Sequence, residues 1–253
     1  MTFKPQKYLL LPLSLFMALS QGLAGAQTLR IGLAEDPDVL DPTLARSFVG
    51  RVVFASLCDK LFDIDEKLNI LPQLASSYEW SADSKALTLK IRQGVTFHDG
   101  EKLDAAAVKF NIERHKNLPG SNRRGELAPV ASVDVIDANT VRLNLSAPFA
   151  PLLAQLTDRA GMMVSPKAAQ AAGDKFGSNP VCSGPFKLVE RVAQDRIVLE
   201  KFANYWNKDA IHFDKVIYTP IPDATVRLAN LKSGQLDFIE RMASNDVENL
   251  MKD

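Results

Sequence analysis

The side chains that most often carry catalysis or bind metals are few in this sequence. Its three histidines are His98, His115 and His212, and no Cys-x-x-Cys or His-Glu-x-x-His spacing occurs. His98 precedes Asp99, so we interpret this pair as a turn in which Asp99 accepts hydrogen bonds from backbone N–H groups. Walker loops and Gly-x-Ser-x-Gly elbows are absent. The sequence therefore predicts no metal site, no cofactor and no enzyme activity.

Ser183 precedes Gly184 and Pro185 at the start of a predicted strand. Because no basic partner is placed beside it in the sequence, we interpret Ser183 as part of a turn rather than as a nucleophile. An exported hydrolase stays open as an alternative, and turnover of a peptide panel by the purified protein would support it.

The first 26 residues have the parts of a secretory signal. Lys4 and Lys7 form a basic start, a mostly apolar run extends from Tyr8 to Leu19, and Ala24-Gly25-Ala26 offers a cleavage site. The apolar run is shorter than the roughly 20 residues that span a bilayer. We expect cleavage after Ala26 and a mature chain that is free of the membrane, with a retained anchor as the alternative.

Charge argues against two classes of partner. The full sequence has 30 basic and 30 acidic side chains, and loss of Lys4 and Lys7 leaves a net charge of −2. Nucleic acids and anionic membranes require basic clusters, so neither is predicted as the main partner. The two cysteines of an exported chain, Cys58 and Cys182, either form a disulfide or remain separate buried thiols.

Strand and helix patterns are mixed along the whole chain, which predicts an α/β or α+β class. Alternating apolar residues predict strands at 28–33, 77–80, 87–92, 130–136, 140–145, 184–191, 197–201, 216–218 and 236–239. An apolar stripe predicts a helix from Phe48 to Phe62. Asp104, Pro166, Asp223 and Ser244 mark the starts of four further helices.

Short motifs follow one another in a fixed order. They are Leu40-Asp41-Pro42, Pro72-Gln73-Leu74-Ala75, the run LTLKIRQGVTFHDG at 87–100, the run NPVCSGPF at 179–186, and Asn204-Tyr205-Trp206. In this order, from Thr28 onward, they closely resemble the family 5 extracellular solute-binding proteins. These proteins are the dipeptide, oligopeptide, glutathione and nickel receptors of bacterial ABC importers.

The resemblance implies a two-lobed periplasmic-binding-protein fold of the large class, with an extra subdomain. Residues 27–57 and 178–253 are then expected in the first lobe, and residues 58–177 in the subdomain. Such relatives are roughly twice as long as this chain, beyond what one core supports. We therefore expect these 253 residues to be truncated to the first lobe and subdomain.

The resemblance also implies a function. We expect a monomeric periplasmic component of an ABC transporter that captures a peptide or peptide-like solute and delivers it to an inner-membrane permease. One alternative is a periplasmic receptor for chemotaxis or signalling. Another is a non-peptide solute, such as a nickel chelate, glutathione, an opine or a sugar.

Three segments match ligand-facing segments of such receptors, namely residues 46–48, 122–124 and 158–162. Arg159 is the leading candidate for an anion partner and Arg46 the next, because a guanidinium fork binds a carboxylate through two charge-assisted bonds. Phe48, Arg123 and Arg124 complete the predicted ligand-binding set. For each arginine the alternative is a solvated surface side chain. Some relatives carry an acidic residue where Arg46 stands, which suggests a ligand richer in negative charge.

Many relatives have Gly-Thr-Gly-Pro where residues 182–185 are Cys-Ser-Gly-Pro. Cys58 and Cys182 then fall at the two points where the chain crosses between lobe and subdomain. We hypothesise that they are bonded.

Overall fold

The computed structural model describes residues 27–251, and the predicted signal segment, 1–26, lies outside the described residues. The strands are β1 (Thr28–Leu33), β2 (Phe62–Ile64), β3 (Ile70–Pro72), β4 (Ala75–Trp80), β5 (Ala86–Ile91), β6 (Val130–Asp137), β7 (Thr140–Leu145), β8 (Phe186–Val192), β9 (Arg196–Lys201), β10 (Lys215–Pro220) and β11 (Phe238–Ile239). The helices are α1 (Phe48–Leu57), α2 (Ala105–Asn117), α3 (Leu152–Gln155), α4 (Pro166–Ala172), α5 (Ala224–Lys232) and α6 (Ser244–Leu250). Within residues 27–251, no helix is both long and apolar enough to cross a membrane.

A five-stranded mixed sheet forms the larger layer, in the order β11-β1-β10-β9-β8. Strand β1 runs parallel to both of its neighbours, whereas β10, β9 and β8 form antiparallel pairs. Helix α1 contributes its apolar residues to the core beside this sheet, which includes Leu33, Val53, Phe54, Leu57 and Tyr218. The sheet thus brings residues 28–33 together with residues 186–239.

A second sheet is antiparallel throughout, in the order β4-β5-β7-β6. Helix α2 packs against β6 and β7, and its buried residues join a separate core that includes Leu87, Leu89, Val108, Ile112 and Val141. Strands β2 and β3 form a small hairpin of their own. The mixed α/β class is therefore confirmed.

The division into lobe and subdomain stays a prediction in its details. The core of the five-stranded sheet also contains Met162, Val164, Ala169 and Phe176, which the sequence analysis assigned to the subdomain. The boundaries at 57/58 and 177/178 therefore mark chain crossings more closely than they mark the edges of the two cores.

The helix starts predicted at Asp104, Pro166, Asp223 and Ser244 are confirmed by α2, α4, α5 and α6. Asp104, Ser165 and Asp223 each accept hydrogen bonds from backbone N–H groups in the first turn of the helix that follows. Gly173 and Gly234 follow two of these helices with φ of +53° and +75°, a region that suits glycine.

The prediction of one helix from Phe48 to Phe62 is wrong beyond Leu57. Helix α1 ends there, Cys58 is extended with φ −130° and ψ 112°, and Phe62 begins β2. The carbonyl of Leu57 accepts a hydrogen bond from the N–H of Gly184 at 2.9 Å, so the chain leaves the helix to pair with a distant segment. The apolar side chain of Phe62, which looked like part of the helical stripe, packs instead in the core of the second sheet.

Two chain crossings between the sheets lie side by side. Cys58 and Cys182 form a disulfide between residues 124 apart in sequence, with Cα atoms 4.9 Å apart. Isolated β-bridges pair Lys60 with Met162 and Val164 with Cys182. Covalent and backbone contacts therefore hold the same junction together.

A buried carboxylate reinforces this junction. Asp59 is 2% exposed and accepts hydrogen bonds from Trp206 Nε1 at 2.6 Å, Tyr205 OH at 3.1 Å and Gln73 Nε2 at 3.3 Å. Burial raises the pKa of Asp59 to about 7, against which the hydrogen bonds from Trp206 and Tyr205 act. The network ties the loop after β9 to the segment between α1 and β2.

Two histidines, of which His115 is buried and His98 half-buried, should make the protein less stable in acid. Burial lowers the pKa of both His98 and His115 from 6.5 to about 4. Between these pH values both histidines are therefore protonated in the unfolded chain and neutral in the folded protein. Asp59 offsets one of these two protons, because in this pH window its carboxyl is protonated only in the folded state. The free energy of unfolding should fall by about 1.4 kcal/mol per pH unit on acidification.

Urea unfolding between about pH 6.5 and pH 4.5 measures this slope. His115→Gln should reduce the proton uptake on unfolding by about one. His212, which is exposed, offers the matched control variant, His212→Gln. A wild-type stability that does not change over this window would contradict the prediction.

Candidate ligand-binding site

Three segments far apart in the sequence converge on one backbone carbonyl. The Ala45 oxygen accepts hydrogen bonds from Arg123 Nη2 at 3.2 Å and from Arg159 Nη1 at 3.1 Å. Arg123 follows α2, and Arg159 opens a short 3₁₀ turn that ends at Gly161. The structure thus brings together Arg123 and Arg159, two of the arginines predicted to bind the ligand.

The Leu40-Asp41-Pro42 motif anchors the loop that carries Ala45. Arg114 on α2 donates from Nη2 to Asp41 Oδ2 at 2.6 Å and from Nη1 to Asp41 Oδ1 at 2.9 Å. The backbone carbonyl of Asp41 accepts the N–H of Ala45 at 2.8 Å. Thr43 Oγ1 lies 2.8 Å from His115 Nδ1. This motif therefore supports the loop that carries Ala45.

A tight turn places Arg159. A Cβ atom on Gly161 would lie 1.9 Å from the carbonyl oxygen of Leu156, so only glycine fits there. The carbonyl of Gly161 in turn accepts the N–H of Leu61 at 2.8 Å. The turn is therefore packed against the chain that enters β2, which fixes the direction of Arg159.

Arg159 is buried, with 4% of its surface exposed. Its Nη1 also lies 3.3 Å from the carbonyl oxygen of Ser47, and its Nε has no hydrogen-bond partner within the described part of the chain. Asp158 Oδ1 is 3.9 Å from that Nε, too far for a hydrogen bond. Burial lowers the pKa of Arg159, and the charges of Arg123 and Arg51 lower it further. Its positive charge is poorly compensated.

Arg123 has the same character. It is 5% exposed, its Nη1 pairs with Glu126, and its Nε has no partner among the described residues. Burial raises the pKa of the Glu126 carboxyl, although the charge of Arg123 acts against this. Unpaired buried donors cost free energy, so these two N–H groups favour an acceptor that the described residues do not supply.

Arg46 and Phe48 lie at the exposed side of this pair. The Arg46 side chain donates from Nε to Asn122 Oδ1 at 3.1 Å, and its backbone N–H donates to Asp38 Oδ2 at 2.8 Å. Phe48, the first residue of α1, is 54% exposed. A large exposed aromatic ring is a surface against which a solute can pack.

Arg51 belongs to the site but was missed in the sequence analysis. It follows Phe48 by one helical turn, and its guanidinium carbon lies 5.9 Å from the centre of the Phe48 ring. Its Nη2 pairs with Asp158 Oδ2 at 2.7 Å, which joins α1 to the segment before Arg159. The i, i+3 spacing on a predicted helix was the signal that could have identified it.

The structure does not bring Arg124 into this cluster. Its Nε donates to the carbonyl of Lys116 at 3.0 Å and its Nη2 lies 3.4 Å from the carbonyl of Leu118. These carbonyls stand at the C-terminal end of α2, where a basic side chain stabilises the helix. Arg124 therefore has a local structural role, and its predicted contact with a ligand has no support from this geometry.

A cavity of about 380 Å³ lies beside the Arg51–Asp158 ion pair. It is lined by Arg51, Ala55, Lys60, Ile64, Thr157, Asp158 and Met162. Its charged groups are already paired, Arg51 with Asp158 and Lys60 with Asp63. The cavity thus offers mostly neutral space next to the arginine cluster.

The cluster contains more arginines than carboxylates. Three arginines (Arg51, Arg123 and Arg159) face two carboxylates (Glu126 and Asp158), and nearby Arg46 adds a positive charge that the Asp38 carboxylate offsets. Among residues 27–251, no three His, Cys, Asp or Glu side chains stand together as a metal site would require. The arrangement can bind a carboxylate through guanidinium N–H groups in a largely desolvated setting.

Comparison with known proteins identifies relatives of this chain and of its fold. The family described as "Bacterial extracellular solute-binding proteins, family 5 Middle" matches residues 69–253. The glutathione-binding protein GsiB of Pectobacterium atrosepticum is 33% identical over 200 residues, which are 79% of this chain and 39% of that protein. GsiB of Salmonella paratyphi A is 32% identical over 214 residues, covering 84% and 42%.

Solved structures of similar fold are also binding proteins. AgaA from A.tumefacien R10, in complex with agropinic acid, has a TM-score of 0.85 and 31% identity, and the match covers 89% of this chain and 46% of AgaA. DppA from Helicobacter pylori, in complex with the peptide STSA, has a TM-score of 0.79 and 26% identity, covering 89% and 48%. The chain spans less than half the length of each of these proteins.

Proposed function

Because this chain belongs to the family 5 bacterial extracellular solute-binding proteins, we propose that it captures a small, acidic, peptide-like solute. The observation that carries this proposal is the pair of buried arginines, Arg123 and Arg159, which share the Ala45 carbonyl and each have an unpartnered Nε. A carboxylate of the solute supplies the missing acceptor.

The relatives support an acidic solute without identifying it. One group is named for glutathione, a tripeptide with two carboxylates, and AgaA is described with agropinic acid. DppA is described with a peptide, whose C-terminus is also a carboxylate. The common chemical feature is an anionic group on a small polar solute, which is what the arginine cluster fits.

We propose further that the protein is exported through residues 1–26, acts as a monomer in the periplasm and delivers its solute to an ABC permease. Residues 27–57 and 178–253 form one lobe of a two-lobed receptor, and residues 58–177 its subdomain. Closure of such a receptor is hinge motion, driven by the solute's better affinity for the closed state.

Calorimetric titration of the full-length protein tests the proposed solute class. Glutathione and its diethyl ester form a matched pair, because the ester keeps the peptide and removes both negative carboxylates. We expect glutathione to bind at least about tenfold more tightly than the ester, since charge-assisted hydrogen bonds contribute more than neutral ones. Equal affinity for the two compounds, or binding of neither, would refute an acidic, peptide-like solute.

A further inference from the structure

Arg241 has a backbone conformation that is unusual for its place in the fold. Its φ is +58°, in the left-handed region that disfavours residues with a side chain. The other non-glycine residues of this kind in the described chain, Leu68, Ser84 and Gln194, each lie in a turn between two antiparallel strands. Arg241 lies instead between β11 and α6, so no hairpin explains it.

A buried arginine holds Arg241 in this conformation. Arg227 on α5 is 2% exposed and donates from Nη2 to the carbonyl of Arg241 at 2.8 Å. Its Nη1 donates to the carbonyls of Ile221 at 2.6 Å and Pro222 at 2.9 Å. On the other side, the N–H of Glu240 donates to the carbonyl of Gly32 at 2.8 Å. The segment is therefore fixed from α5 and from β1 at once.

The consequence is the position of the Arg241 side chain. Its guanidinium carbon lies 5.8 Å from the centre of the Phe48 ring, and that of Arg51 lies 5.9 Å from the same ring. The Arg241 side chain is 61% exposed, and its ion pair with Glu240 is loose, at 3.4 Å. Phe48 thus lies against two guanidinium groups, and the Arg241 side chain, 61% exposed, is more open to solvent than that of Arg51, 44% exposed.

We propose that Arg241 binds a second anionic group of the solute and that Arg227 is its positioning residue. Arg51, which lies against the same Phe48 ring, is paired with Asp158, whereas Arg241 has only its loose partner Glu240. An exposed cation on this ring, in addition to the buried pair Arg123 and Arg159, fits a solute with two anionic groups, such as a dicarboxylate. This inference rests on the proposed function, because it concerns the same site.

A strained backbone persists where the surrounding structure holds it, and such residues cluster at ligand-binding sites. A lysine in place of Arg227 cannot reach three carbonyls with a planar fork, so it should release the Arg241 segment. The effect of Arg227 on binding should therefore pass through the Arg241 side chain.

The test uses the full-length protein and two probes, glutathione and glutathione amidated at its glycine carboxylate. Wild type should prefer the dicarboxylate. Arg241→Gln should lower affinity for glutathione about tenfold and remove most of that preference, whereas Arg241→Lys should restore part of it. Arg196→Gln is the control, because Arg196 is an exposed, ion-paired arginine on the β8–β9 hairpin and should not affect binding.

Arg227→Lys should reproduce the loss of preference, and in the double variant with Arg241→Gln the losses should not add. If Arg227→Lys fails to fold, the two Arg241 variants decide the question. An Arg241→Gln protein with the wild-type preference for the dicarboxylate would overturn this inference and leave the proposed function intact. A wild-type protein that binds neither probe would overturn both.

Discussion

Arg159→Met is expected to lower the affinity for glutathione by about 100-fold, the largest effect of any single change in the site. Methionine keeps the volume of the buried stem but removes the guanidinium, whose Nε has no partner among residues 27–251. A charge-assisted hydrogen bond in a desolvated site contributes several times more binding free energy than an exposed one. Its loss leaves the solute's carboxylate buried without a donor. Calorimetric titration of the full-length variant measures the change.

The same substitution also removes the Arg159 donor from the carbonyls of Ala45 and Ser47, of which Ala45 keeps the donor from Arg123, so some loss of stability accompanies it. Arg124→Met is the matched control, because Arg124 contacts the end of α2 and should leave affinity unchanged. Urea unfolding of both variants separates stability from binding. An Arg159→Met protein that is folded and binds glutathione as wild type does would contradict the assignment of Arg159.

Removal of the disulfide should produce the largest loss of stability. Replacing Cys58 and Cys182 together by alanine is expected to lower the free energy of unfolding by about 4–5 kcal/mol, because the bond closes a very long loop in the unfolded chain. The two residues are 124 apart in sequence. Since both are buried, loss of their sulfur atoms adds a smaller packing cost.

Urea unfolding of the double variant against the oxidised wild type gives this difference. Reduction of the unmutated protein should reproduce most of it, which separates the bond from the packing of the sulfur atoms. Two thiols that are both alkylated in the folded, unreduced protein would contradict the pairing.

Local features of the fold were predictable from the sequence because their causes are local. Asp104 and Asp223 cap the helices that follow them, and the alternation of residues 28–33 produces a strand. The prediction of a helix from Phe48 to Phe62 was wrong beyond Leu57, because a contact with Gly184, far away in the chain, ends the helix there. Periodicity cannot reveal such a contact.

The site was predictable only in part, for a similar reason. Arg159 and Arg123 came from a family resemblance, whereas their shared acceptor, the carbonyl of Ala45, depends on contacts over 114 and 78 residues. Arg241 has its place because buried Arg227 holds a strained backbone, which no local pattern indicates. Arg124 carries the same side chain as Arg123, but its position directs it to the end of α2.

The most direct test of an anion receptor observes the two unpartnered N–H groups themselves. In a ¹H–¹⁵N spectrum of the full-length protein labelled at arginine, the Nε–H signals of Arg159 and Arg123 are assigned from Arg159→Lys and Arg123→Lys. Addition of glutathione should move both signals downfield, as expected when a carboxylate accepts from them, while that of Arg196 stays in place. If both stay fixed at saturating glutathione while other signals move, the solute binds elsewhere and the arginine pair is structural.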